Sequence, residues 1–165
     1  MHTHANPATP RLPSPARIAR VGHIPRKGHP MTDQPGTETL RTYVQPWHCD
    51  EMGHMNVRHY LGMFDDAAFV MLAMIGHRTD ENFGWADVQH TIRYLAEAER
   101  GTPVAVRSEL VKLGSKSVTV LHRMFDITTG TALAEAETVT VYFDLKARKA
   151  AAIPEAYRTA LEALG

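Results

Sequence analysis

Between Val57 and Gly76 the chain carries two apolar stripes side by side at helical spacing. Val57, Leu61, Phe64, Ala68, Met71 and Ile75 recur at intervals of four and three, and Tyr60, Met63, Ala67, Val70 and Met74 do the same beside them. Arg58, Asp65 and Asp66 leave polar ground only in the N-terminal half, and Gly76 supplies a C-terminal stop. A helix apolar over so much of its circumference has to be covered by other structure on most sides.

The rest of the chain offers strands to cover it. Val88–Leu95, Pro103–Leu113, Ser117–Ile127 and Ala132–Leu145 alternate at period two and are rich in β-branched residues. Gly101-Thr102, Gly114-Ser115-Lys116 and Thr129-Gly130-Thr131 punctuate them as short turns, so sequential neighbours are expected to pair antiparallel. Arg41–Trp47 reads as an earlier strand whose Pro46 suits an edge or a strand end. In the last strand Ala132, Ala134 and Ala136 share one parity while Val139, Val141 and Phe143 take the other. A bulge near Glu137–Thr138 would reconcile them. Pro154 opens a short helix with Tyr157, Leu161 and Leu164 on one side. The plan is α+β: a curved antiparallel five-stranded sheet wrapped around a central helix, with a short C-terminal helix, which is the hotdog arrangement.

A length of 165 residues with 44% hydrophobic and 22% charged residues suits one domain with a real core. Residues 1–30 hold five basic residues, no acidic ones and six prolines. Removing those five from the 18 Lys and Arg leaves 13 against 18 Asp and Glu, a balance that disfavours nucleic-acid binding by the remainder. The proline-broken start has no hydrophobic period, so residues 1–38 are expected to be a disordered extension and 39–165 the folded domain. A transit peptide or a basic arm would also have such a composition. An extension upstream of a natural start at Met31 is the favoured reading. The longest apolar run, Ala67–Gly76, is half of what a bilayer span needs, so a soluble protein acting away from membranes is expected. A single cysteine, Cys49, excludes an intramolecular disulfide and agrees with a cytoplasmic setting.

Polar chemistry concentrates in residues 47–60, WHCDEMGHMNVRHY. His54 and His59 lie five apart, off the three- or four-residue spacing that puts two ligands on one helix face, so no metal or other cofactor is expected. If residues 47–50 continue a strand, Cys49 points away from His48 and Asp50, and a semi-buried thiol results. Asp50 is the stronger candidate. The free backbone N–H groups at the start of the Val57 helix form a site for a carbonyl oxygen acquiring negative charge. Gly53 lets the backbone turn and approach a ligand. An acidic residue beside such a site suits attack on an acyl carbonyl, directly or through water. Equally, Asp50 or Asn56 could simply cap the helix.

The string Asp50-Glu-Met-Gly53-His54-Met55-Asn56, followed by Tyr60, resembles the Asp-x-x-Gly-His-Val-Asn signature of the 4-hydroxybenzoyl-CoA thioesterase-like hotdog family. Ile92-Arg93-Tyr94, the Gly101 turn, Val111–Ser117 and Tyr142-Phe143-Asp144 follow in matching order, so the likeness runs from Thr42 to Pro154. It implies an acyl-CoA thioesterase with Asp50 as nucleophile or general base. The N–H near Val57 would polarise the thioester carbonyl, and His54, Asn56, Gly53 and Tyr60 would line the pocket. It also implies CoA contacts from Lys112, Ser115, Lys116 and Ser117, with Arg123 nearby. A homodimer or homotetramer joined by sheet edges, with active sites at the subunit interface, is implied as well.

Two departures stand out: His48 occupies the first place of an Asp-x-Asp pair, and Gly101-Thr102 replaces a Gly-Asp turn. A charged His48 would stabilise the Asp50 carboxylate. Asp65 and Asp66 on the helix are further acidic candidates, since a related lineage places its acid there, although a solvated or interface role suits them. The same fold serves thioester hydratases, for which His54 with Asp50 or Glu51 would be the pair, and non-catalytic acyl-CoA binders.

Overall fold

The computed structural model describes residues 34–78 and 80–164. Strand β1 spans Thr37–Tyr43, helix α1 Val57–Met74, β2 Phe83–Tyr94, β3 Pro103–Leu113, β4 Ser117–Asp126, β5 Ala132–Asp144, β6 Lys149–Ala150 and helix α2 Glu155–Glu162. The sheet is antiparallel with order β1-β3-β4-β5-β2, and the two-residue β6 is attached to the end of β5. No helix among the described residues is long and apolar enough to cross a membrane.

Residues 1–33, most of the stretch expected to be disordered, lie outside the described residues. Thr37 and Glu38 already belong to β1, so the fold begins inside that expected extension. The first strand also ends earlier than its sequence suggested. Pro46–His48 form a single 3-10 turn rather than the end of a strand, as a proline at the first position of a turn favours.

Helix α1 lies across the concave side of the sheet, packing on β1, β3 and β5. Tyr60, Met63, Phe64 and Ala67 join Val44, Val104, Val106, Met124 and Ala136 in the main core. Met71, Leu72 and Ile75 form a second cluster with Val118, Val120 and Leu161 of α2. The small side chains of β5 have a packing cause. Ala134 and Ala136 are fully buried on the same parity as Thr138 and Tyr142, so they let the sheet and helix approach closely. No bulge falls at Glu137–Thr138, because both pair in register with β2 and β4. The irregularity sits on β2 instead, where Val88 is the extra residue between Asp87↔Thr140 and Gln89↔Val139.

Two further expectations change. β2 and β3 do not pair. β2 is the far edge of the sheet, and residues 95–102 cross back beneath the helix start, bonded through Leu95 and Ala96 to Leu133 and through Gly101 to Val44. The helix is also not covered on nearly all sides within one chain. Val57, Leu61, Phe69, Val70 and Met74 are exposed, Phe69 to 65% and Val57 to 56%. Val57 shares a cleft with Tyr94 of β2, and Phe69 shares one with Trp85 and Asp87 of the same edge strand.

Candidate active site

Asp50 lies in a loop that is bonded at both ends to the rest of the fold. Met55 N–H donates to the Ala98 carbonyl at 2.8 Å and Asn56 N–H to the His48 carbonyl at 2.9 Å. Between these anchors the chain reverses. Gly53 N–H donates to the Asp50 carbonyl at 3.0 Å, and Gly53 adopts φ of +84°, where a side chain would strain the backbone. The Asp50 carboxylate is held at both oxygens: Met52 N–H donates to Oδ1 at 2.9 Å and Asn56 Nδ2 to Oδ2 at 3.4 Å.

Asn56, not Asp50, caps helix α1, through Arg58 N–H donating to its Oδ1 at 3.3 Å. The cap thus places its amide against the carboxylate and leaves Asp50 off the helix axis. Val57, the first helical residue, has no carbonyl one turn earlier within the helix to receive its N–H. Asp50, Asn56 and Val57 line one cleft of about 330 Å³ together with His54, Tyr60 and Tyr94. Tyr60 is buried, and that burial raises its pKa, so it stays a neutral phenol. Its ring meets Tyr94 edge-on at 5.1 Å. A second opening of about 420 Å³ on the other side of Asp50 runs past Cys49, Gly53 and Arg100.

His54 does not face Asp50 or Glu51. Its Nδ1 is buried without a hydrogen bond and sits 3.4 Å from the Glu97 carboxylate. His48, which stands where an aspartate was expected, does not hydrogen-bond to Asp50 either. Its Nδ1 accepts from Gln45 N–H at 3.0 Å and its ring lies 4.7 Å from that of His59. Burial, with repulsion from His59, lowers its pKa and keeps it neutral near pH 7, so it organises the loop without lending Asp50 a positive charge. Cys49 is half-buried against the core, bridged to Met55.

The proposed CoA contacts lie elsewhere. Lys112 is the last residue but one of β3, and Ser115 and Lys116 turn towards Ser117 at the start of β4. Backbone bonds from Ile153 and Tyr142 pin the turn. The Asp50 loop sits at the opposite end of β3, next to Thr102, about 30 Å away at 3.3 Å per residue. Within one protomer the two groups are not brought together. Sequence reading missed Tyr94 and Glu97 as cleft walls. The available signal was an exposed aromatic ending a strand beside a run of acids.

Other proteins share this architecture. A solved 1,4-dihydroxy-2-naphthoyl-CoA thioesterase from Synechocystis superposes with a TM-score of 0.71 at 22% identity, over 78% of this chain and 98% of that one. YbaW of Escherichia coli does so with a TM-score of 0.65 at 26% identity, over 76% of this chain and 96% of its own. A Rhizobium L-carnitine dehydrogenase/betainyl-CoA thioesterase is 29% identical over 128 residues, 76% of this chain, but the match spans only 26% of that longer protein. Residues 44–161, from the end of the first strand through most of α2, match the thioesterase-like superfamily, and the chain belongs to that family.

Proposed function

We propose that the protein is an acyl-CoA thioesterase, using water to cleave an acyl–S–CoA bond into a carboxylic acid and CoA. The observation that carries this reading is the shared cleft of Asp50, the Asn56 cap and the unbonded helix start at Val57. The thioester carbonyl would rest on the Val57 N–H, where the helix dipole favours developing negative charge. General base is the role that suits Asp50. Each carboxylate oxygen already accepts one bond and keeps a lone pair for a water molecule. Asp50 would take a proton as the water oxygen bonds to the carbonyl carbon. The tetrahedral intermediate would then expel CoA thiolate, which recovers the proton. His54 and Asn56 position water or substrate, and Gly53 and Tyr60 shape the cleft.

The working unit in this proposal is a homodimer joined antiparallel through the free edge of β2. That arrangement would cover exposed apolar residues of α1 that neighbour β2, Val57 and Phe69 among them. It would also bring the Phe83 end of one protomer towards the Tyr94 end of the other. Because Ser117 and Trp85 flank Val141 and Tyr142 at that Phe83 end, the partner's Lys112–Ser117 turn would reach the Asp50 cleft and hold CoA phosphates. The single free cysteine suits a cytoplasmic setting. The betainyl-CoA activity of the relative makes a quaternary-ammonium acyl group the first to assay. The test is a panel of acyl-CoA esters scored by thiol release. Asp50→Asn and Asp50→Ala should lose most hydrolysis while keeping the wild-type melting profile, and a fully active Asp50→Ala protein would falsify the assignment. A hydratase reading is less favoured, because His54 faces Glu97 and not Asp50.

A further inference from the structure

A separate cavity, of about 210 Å³, opens between the C-terminal half of α1 and the β2–β5–β4 face of the sheet. Its base is hydrocarbon, from Met71, Leu72, Val118 and Val120, and its rim carries the rings of Phe69 and Trp85. No lysine or arginine lines it, whereas Asp65 and Asp87 both do. Asp87 is held in place by the Thr140 hydroxyl and lies 3.4 Å from His90 Nε2. Asp65 makes no hydrogen bond or ion pair among the described residues, and Asp87 faces it as a like charge.

His122 adds an independent sign of the same polarity. It is only 1% exposed, yet it lines the cavity. Its Nδ1 lies 2.7 Å from Ser108 Oγ, Ser108 Oγ lies 2.7 Å from Thr39 Oγ1, and Thr39 donates to the Val106 carbonyl at 3.4 Å. If Thr39 gives its proton to Val106, Ser108 must give its own to Thr39, and His122 must donate from Nδ1. The Nε2 lone pair is then presented to the cavity. Burial keeps this ring neutral, its pKa lowered to about 4. Two carboxylates, an imidazole lone pair and two aromatic rings therefore share one hollow with no lysine or arginine in its wall, and burial lowers the pKa of the other lining histidine, His77, keeping it neutral.

The geometry points to an acyl pocket selective for a cationic acyl group of the alkylammonium class, with Asp65 and Asp87 as its specificity-determining residues. The hydrocarbon base accepts the alkyl substituents, the ring faces attract the cation, and the carboxylates compensate its charge. An anionic acyl group would be repelled. This inference rests on the thioesterase reading. In the β2-joined dimer the Trp85–Asp87 end of one protomer faces the half of β2 that carries its partner's Tyr94, a wall of the catalytic cleft. The thioester carbonyl would sit in the cleft of one protomer and the acyl head in the cavity of the other.

The test compares trimethylammonioacetyl-CoA with 3,3-dimethylbutanoyl-CoA, an ester of the same shape in which carbon replaces the charged nitrogen. Wild type should favour the cationic ester by about tenfold or more in kcat/KM, and Asp65→Asn and Asp87→Asn should each bring that ratio towards one. Calorimetric binding of both esters to Asp50→Asn protein should show the same preference without turnover. Equal or better use of the neutral ester by wild type, or a ratio unmoved in both charge variants, overturns the inference while leaving the thioesterase reading intact. If no ester of any class is hydrolysed, the thioesterase reading fails, and the binding preference alone decides the cation site.

Discussion

Asn56 holds two partners at once, and substitutions can separate them. Its Oδ1 receives Arg58 N–H and caps α1, while its Nδ2 donates to Asp50 Oδ2 at 3.4 Å. Asn56→Ala removes both. Losing the cap costs about 1 kcal/mol, which for a domain of this size lowers Tm by about 3–5 °C. Asn56→Ser keeps an oxygen for the cap but gives up the amide donor, so its Tm should stay near wild type while kcat/KM falls by about 3- to 10-fold. Asn56→Asp is the sharper probe. A carboxylate is at least as good a cap beside the helix dipole, so the cap itself should be kept. Its second oxygen, however, would stand near 3.4 Å from that of Asp50. Two unit charges at that separation repel by roughly 5 kcal/mol at an effective dielectric of 20. Solvent at this half-open loop reduces the penalty to about 1–2 kcal/mol, which should lower Tm by about 3–8 °C and, by displacing the Asp50 carboxylate, slow turnover by about 5- to 30-fold. Thiol release and thermal unfolding on the same preparations read the two axes. Wild-type kcat/KM in the Asn56→Asp protein would sink the reasoning. So would Ser and Ala variants that match wild type in rate.

Three other outcomes follow from the packing. His122 is buried with its pKa lowered to about 4 from an ordinary 6.5. The unfolded chain therefore binds a proton that the folded one refuses, and stability drops as pH falls from about 6.5 to 4, by up to ~3 kcal/mol. Urea unfolding at several pH values should show that slope, and His122→Asn should flatten it. Leu161, buried between α2 and the sheet, should cost about 2–4 kcal/mol when truncated to Ala. Thiol release by the folded fraction should persist, because α2 lies away from Asp50. Phe69→Lys on the bare helix face should shift the mass measured by light scattering from dimer to monomer and reduce turnover with it. A dimer that persists would place the interface elsewhere.

Much of this was legible along the chain because local pattern and fold agree. The apolar stripes gave α1 its start at Val57, and unbroken alternation gave β3 its limits at Pro103 and Leu113. The misreadings have physical causes. Val88 bulges out of β2, so the period-two pattern is lost just where Phe83–Asp87 should extend it, and those five of its twelve residues do not read as strand. Ala134 and Ala136 looked like a change of register, but they are small because a helix lies against them. His122 carried a readable signal, a histidine on the buried parity of Val118, Val120 and Met124. It could be noticed from sequence, but its hydroxyl relay to Thr39 could not, because those residues lie on three different strands.

The exposed face of α1 shows where a single sequence stops being informative. Val57, Leu61, Val70 and Met74 belong to the apolar stripes and are exposed nonetheless, as is Phe69 outside them, since apolar periodicity reports burial without saying by what. In the isolated chain they are bare, beside a twelve-residue edge strand whose outer backbone groups have no neighbour in the sheet. An edge of that length beside exposed apolar side chains favours pairing with a second copy. The chemistry leads the same way. Asp50 lies at one end of the fold, while the Lys112–Ser117 turn and the Asp65–Asp87 cavity lie towards the other, and an antiparallel two-fold join is what would bring opposite ends together. In the proposed dimer the exposed helix residues, the free edge and the two ends of the site would meet in one arrangement, and abolishing the join should impair CoA binding and acyl selectivity together.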